Sequence, residues 1–124
     1  MLGPTILVIE EDSTARQAIK TVLQCQGFSV HLANNSAEAQ QLFAKHHDEL
    51  TLMLLDVGSG LEFFFSIPTL QPRVPALFTA TRAESDLPTI AQHGLPCVCK
   101  PFTPRTLIES IAALCTGGGG RRAS

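Results

Sequence analysis

The sequence predicts an α/β fold, a doubly wound five-stranded parallel sheet with helices on both faces. Three observations lead there. Short apolar runs alternate with helical patterns five times along the chain, and that alternation builds parallel sheets. The run Leu50 to Leu55 is apolar apart from Thr51, as in a strand covered on both faces. The acidic Glu10-Glu11-Asp12, Asp56 and Lys100 each follow a strand-like run, and carboxyl ends of strands are where open α/β sheets place their chemistry.

Residues 5–9 (TILVI) read as the first buried strand. Ser13 is expected to cap a helix that buries Ala15, Ala18, Ile19, Val22 and Leu23, spaced three and four apart, with Gly27 ending it. Phe28 to Ala33 alternates more than the other strands, as an edge strand does. Asn34-Asn35 turns the chain, and Ser36 is expected to cap a second helix to about Lys45, with Glu38 complementing its dipole. His46-His47-Asp48 reads as a polar connection, the histidines as a loop feature rather than metal ligands. A third helix starts at Gly60 or Leu61 and ends near Ile67, before Pro68. Its Phe63-Phe64-Phe65 spans roughly 200° of the helix, so two rings are expected inside and one outside. Ala76 to Thr79 is a short fourth strand, Glu84 to Gln92 a weak helix, and Leu95 to Cys99 the fifth strand. Thr103 caps the last helix, with Pro104 at its first position and Leu107, Ile108, Ile111, Ala112, Leu114 and Cys115 as its apolar stripe.

The 124 residues fit one domain, and a 44% hydrophobic content supplies its core. The division expected is a domain over 1–116 and a flexible Gly/Arg tail over 117–124. A net charge of −2 offers no electrostatic footprint for nucleic acid or an anionic membrane. No apolar run nears the ~20 residues that span a bilayer. No basic and then apolar leader opens the chain, so a cytoplasmic location is expected. Cys25, Cys97, Cys99 and Cys115 show neither zinc spacing nor a disulfide framework and are read as buried, reduced thiols.

Taken in order, ILVIEEDSTAR, LMLLD, ALFTA and CVCKPFTP resemble the receiver domain of two-component response regulators, over residues 4 to 115. The KPFTP ending looks most like receivers attached to hybrid histidine kinases. The resemblance implies a flavodoxin-like strand order of 2-1-3-4-5. It implies that Asp56 accepts a phosphoryl group from a histidine kinase or phosphotransfer domain, and that the domain signals through a partner rather than acting as an enzyme. By the same resemblance Glu10 and Glu11 hold Mg2+ together with Asp56 and the backbone carbonyl of Gly58. Lys100 pairs with the carboxylate and then with the phosphoryl group, Thr79 bonds a phosphoryl oxygen, and the peptide before Pro101 is cis. The chemistry is reasonable physically. A carboxylate and a phosphoryl group repel each other, and a hard dication offsets that repulsion.

Three departures from the family pattern stand out. Gly60 follows Asp56 after only four residues with no Met-Pro pair between. Glu11 stands where Asp is usual, moving the carboxylate by roughly 1.5 Å, about one C–C bond, at an ion that demands about 2.1 Å geometry. Cys97 occupies the position of the aromatic that moves with the threonine. These motivate an alternative: a degenerate pseudo-receiver, with Mg2+ binding weakened or lost, acting as a phosphorylation-independent protein-binding or dimerisation module. A homodimer is thus a further option for the partner. An aspartate-nucleophile phosphatase is disfavoured because Gly58 stands where a second Asp is needed. A flavin site is disfavoured because Glu10-Glu11-Asp12 repels phosphate.

Overall fold

The computed structural model describes residues 4–67, 74–80, 88, 92 and 94–120. Its centre is β1 (Thr5–Ile9), every residue of which is buried. It lies between β2 (Ser29–Ala33) and β3 (Leu50–Asp56). Beyond β3 come β4 (Ala76–Ala80) and β5 (Cys97–Cys99). All pairings are parallel, in the order 2-1-3-4-5. Successive strand residues point to opposite faces, and here both sets are apolar. Leu7, Ile9, Met53 and Leu55 pack in one cluster with Ala39 of α2 (Ser36–His46) and Phe63 of α3 (Ser59–Ser66). Ile6, Val8, Leu52 and Leu54 pack in the other with Ile19 and Leu23 of α1 (Ser13–Cys25) and Leu107 and Ile111 of α4 (Pro104–Gly120). A near-continuous apolar strand is therefore the sequence signature of a sheet covered twice. β2 is an edge and is half-buried along most of its length, as its alternation indicated.

Helix ends depart from expectation by one residue. Asp12, not Ser13, caps α1, its carboxylate accepting from the Ala15 N–H at 2.7 Å. Asn35, not Ser36, caps α2, accepting from the Glu38 N–H at 2.9 Å. In both pairs the longer Asx side chain, one position earlier, spans the gap to the third amide, and Ser36 is buried instead. Gly27 ends α1 as expected, at φ 91°. The Phe28 N–H bonds the Leu23 carbonyl and the Gly27 N–H bonds that of Gln24, the two bonds of a Schellman ending. The connection after α2 is a short 3-10 turn, His47–Glu49.

Other expectations are corrected. β5 is only Cys97–Cys99, because Pro96 has no N–H to add to a ladder. Ala18 and Ala112 are exposed, at the margin of their apolar stripes. Cys25, Cys97 and Cys99 are free thiols as expected, but Cys25 and Cys99 are exposed and only Cys97, half-buried, packs against the core; burial pushes the Cys97 thiol pKa up. Helix α4 runs on through Gly117–Gly120, beyond the boundary expected at 117. Each glycine there weakens the helix by about 1 kcal/mol relative to alanine. The helix expected over Glu84 to Gln92 falls mostly outside the described residues, of which Pro88 and Gln92 are helical and exposed. Residues 121–124 also lie outside them.

The start of α3 is set by close packing. Gly60 is buried, and a Cβ there would lie 2.7 Å from the Leu55 Cβ and 3.0 Å from its carbonyl carbon. Phe63 is fully buried, Phe64 half-buried and Phe65 52% exposed, so the aromatic triplet divides as helical geometry requires. Gly60→Ala is expected to destabilise the fold by about 1–3 kcal/mol, as overpacking does, despite alanine's better helix propensity. Urea unfolding measures it.

Candidate functional site

β1 and β3 end side by side, and their parallel register carries Glu10 and Asp56 to the same rim of the sheet. Both are buried, at 2% and 7% exposure. Thr79, also buried, is the register partner of Asp56 on β4. The Val57 N–H bonds the Thr79 carbonyl at 3.0 Å and the Lys100 N–H bonds the Ala80 carbonyl at 2.7 Å, so the sheet ladder continues past each strand end. The Lys100-Pro101 peptide is cis, as expected.

Lys100 reaches back over this rim. Its Nζ donates to Glu10 Oε1 at 3.0 Å and to Asp56 Oδ1 at 3.2 Å. The other Glu10 oxygen, Oε2, accepts from the Asp12 N–H at 3.1 Å. Two buried carboxylates thus share one ammonium. Burial, reinforced by the charge of Glu10, pushes the Asp56 pKa up, with Lys100 opposing. Burial also works against the Lys100 ammonium, but the hydrogen bond to Glu10 and the two carboxylate charges prevail and hold its pKa above the ordinary value.

Glu11 and Gly58 are committed elsewhere. The exposed Glu11 accepts a short hydrogen bond from the Ser59 hydroxyl. The Gly58 carbonyl accepts the first helical bond of α3, from the Glu62 N–H at 3.0 Å. That bond occupies one lone pair of the carbonyl expected to serve as an ion ligand. Of the residues expected from sequence, Lys100 contacts both Glu10 and Asp56, Thr79 is adjacent, and Glu11 bonds Asp56 through its backbone while its side chain is engaged by Ser59.

Two contributors escape the sequence reading. Arg16 in α1 donates from Nη1 to the Glu10 carbonyl at 2.7 Å and the Glu11 carbonyl at 3.3 Å, pinning the acidic turn. The signal was its place in the first turns of the helix behind that turn. Ser59 gave no signal, because its role depends on how short the loop after Asp56 is. The donor set fits a hard dication. Carboxylate oxygens are its preferred ligands, and Glu10 and Asp56 present theirs side by side at the rim.

Folding raises the Asp56 pKa, so the folded state binds its proton more tightly than the unfolded chain. Stability is therefore lost as pH rises from the free aspartate value of 3.8 through the folded value. Asp56→Asn is expected to raise the melting temperature at neutral pH in the absence of divalent ions. The gain should shrink as pH falls towards 3.8, and thermal melts across pH measure it.

Comparison with known proteins agrees with this geometry. The family model described as response regulator receiver domain matches residues 6–112. The chain is 32% identical over 116 residues to a transcriptional regulatory protein CpxR homolog of Haemophilus influenzae, covering 88% of this chain and 49% of that protein. It is 25% identical over 120 residues to the phosphate regulon transcriptional regulatory protein PhoB of Pseudomonas aeruginosa, covering 92% and 52%. It thus spans about half the length of these relatives. A receiver domain structure from Clostridium thermocellum superposes with TM-score 0.82 at 23% identity, covering 94% of this chain and 98% of that one. A CheY-like receiver from Methanospirillum hungatei gives 0.78 at 22%, covering 96% and 98%. A family match over most of its length, carried on a sheet wound in the order 2-1-3-4-5, makes this chain a member of the response regulator receiver domain family of two-component systems.

Proposed function

We propose that this receiver accepts a phosphoryl group on Asp56 from the phosphohistidine of a histidine kinase or phosphotransfer domain, and passes the signal on through a partner. Receiver domains are signalling domains rather than enzymes, and at most this one promotes its own phosphorylation and dephosphorylation. The observation that carries the reading is Lys100 Nζ bridging Glu10 and Asp56.

An Asp56 carboxylate oxygen attacks phosphorus, the P–N bond to the donor imidazole breaks, and the imidazole leaves with the electron pair. Buried carboxylates are poor hosts for an incoming anion. Glu10, Asp56 and Glu11 supply the oxygens that would hold Mg2+, and the bound ion contributes the charge that offsets this repulsion. Lys100 favours the ionised form of Asp56 against the effect of burial and is close enough to exchange its Asp56 hydrogen bond for one to a phosphoryl oxygen. The Thr79 hydroxyl lies one strand away and would donate to another. A cytoplasmic location suits such a reaction. Among the described residues no helix is long and apolar enough to cross a membrane.

The pseudo-receiver reading is supported by the engagement of Glu11 with Ser59 and of the Gly58 carbonyl with Glu62. Both groups would have to be released for the ion. In that reading the domain binds proteins or dimerises without phosphorylation.

Incubation with acetyl phosphate and Mg2+ tests the two. The expected result is one added phosphoryl group by intact mass, absent in Asp56→Asn. No addition and no Mg2+-dependent change in melting temperature would establish the pseudo-receiver instead. Lys100→Ala is expected to slow phosphorylation about 10²-fold, the scale of losing one charge-stabilising donor, as followed by the rate of mass gain. Ser59→Ala frees the Glu11 carboxylate and is expected to tighten Mg2+ binding several-fold in calorimetric titration.

A further inference from the structure

We propose that His31, His46 and Glu49 form a second cation site, for a divalent transition ion of the Zn2+ class, on the α2 side of the edge strand β2. The three come from separate elements: His31 from β2, His46 from the last residue of α2, and Glu49 from the 3-10 turn that leads into β3. Glu49 Oε1 lies 3.8 Å from His31 Nε2 and 3.5 Å from His46 Nδ1. All three ligand atoms fall within 4.8 Å of one another. Ligands on a tetrahedral zinc with Zn–N bonds of 2.0–2.1 Å sit about 3.3 Å apart. The carboxylate therefore needs to close by only a few tenths of an ångström on either imidazole.

A second observation points to a ligand. The His46 Nδ1 atom is buried and makes no hydrogen bond of acceptable geometry among the described residues, Glu49 Oε1 standing off at 3.5 Å. A buried ring nitrogen left without a hydrogen bond is a standing cost, and a metal ion would satisfy it. His47 is not part of the site, since its Nδ1 contacts the Phe43 carbonyl and its Nε2 pairs with Asp48.

The rings of His31 and His46 stack at 4.2 Å with 17° between their planes. An ion bonds in the plane of each imidazole, so at least one ring must turn about its Cβ–Cγ bond. That torsion is broad, and both side chains are 27% exposed. Two imidazoles and one carboxylate suit Zn2+ with water in the fourth position, whereas Mg2+ prefers all-oxygen sites. Asp56 lies seven positions beyond Glu49, at the far end of β3, roughly 23 Å away at strand rise. The site is therefore independent of the phosphoryl chemistry. A bound ion would fasten the edge strand to α2 and to the start of β3.

Zn2+ and Co2+ are titrated into the full chain in saturating Mg2+, which occupies the Asp56 pocket. A Cys25→Ser/Cys97→Ser/Cys99→Ser variant removes the competing free thiols of the described residues. The expected result is one ion bound per chain, with a rise in melting temperature. The site persists in the cysteine variant and weakens at least ~10-fold in His31→Gln and in His46→Gln, a loss no smaller than that for outer-shell partners. No ion bound by the full chain, or undiminished affinity in both histidine variants, would overturn the proposal. Should a histidine variant not fold, NMR of the unsubstituted chain decides. Zn2+-dependent shifts of the His31 and His46 ring signals support the site, and shifts confined to His47 or the cysteines refute it.

Discussion

The rest of this structure depends on one ammonium shared by two buried carboxylates. Glu10 and Asp56 reach the same rim because β1 and β3 pair in parallel with no residue to spare after Ile9 and Leu55. Neither carboxylate is tolerable there as a bare anion, and Lys100 reaches both. Removing the lysine would leave both carboxylates uncompensated, at a cost of about 3–5 kcal/mol, although the intact pairing itself contributes little net stability. That combination suits a switch better than a scaffold. The lysine is held by both carboxylates at nearly equal distance, 3.0 Å from Glu10 and 3.2 Å from Asp56, so a charge added at either would bias which of them it serves.

The sheet that presents this cluster was legible because its signals are local and repeated. Leu50 to Leu55 could be read as a doubly covered strand from its composition alone, and both faces are indeed packed. Gly27 was legible because positive φ leaves few other choices. The N-caps were misplaced because Asp12-Ser13 and Asn35-Ser36 each offer two competent oxygens in succession. Only the backbone path selects between them. The thiols were misread for a related reason. Period-2 alternation places Cys97 and Cys99 on one face but cannot say that β5 is an edge three residues long, where little covers them.

At the site, residues fixed by strand ends were legible and those fixed by loop geometry were not. Glu10, Asp56, Thr79 and Lys100 each follow or end an apolar run, and parallel register brings such positions together. Arg16 and Ser59 act through the backbone of the acidic turn and the side chain of Glu11, contacts with no spacing rule. The histidine cluster is similar. His46-His47 reads as a polar connection, and only the crossing of β2 beside the end of α2 brings His31 and Glu49 against it.

The short turn after Asp56 makes helix initiation and ion binding compete for the same groups. In this chain α3 begins at Ser59, so its first hydrogen-bond acceptor is the Gly58 carbonyl and its first side chain is Ser59. The helix claims the carbonyl through Glu62, and Ser59 claims Glu11. Gly60 cannot retreat to lengthen the turn, because its contact with Leu55 admits no Cβ and ties the helix start to the strand bearing Asp56. An ion that recruits Glu11 must therefore break the Ser59 hydrogen bond, and one that recruits the Gly58 carbonyl must loosen the first turn of α3. Among the described residues, the Glu10 and Asp56 side chains have no hydrogen bond to α3 to give up, so a cation held through that pair alone would leave the helix start undisturbed. Recruiting the other two groups would work against a helix anchored in the core through Phe63 and Leu61.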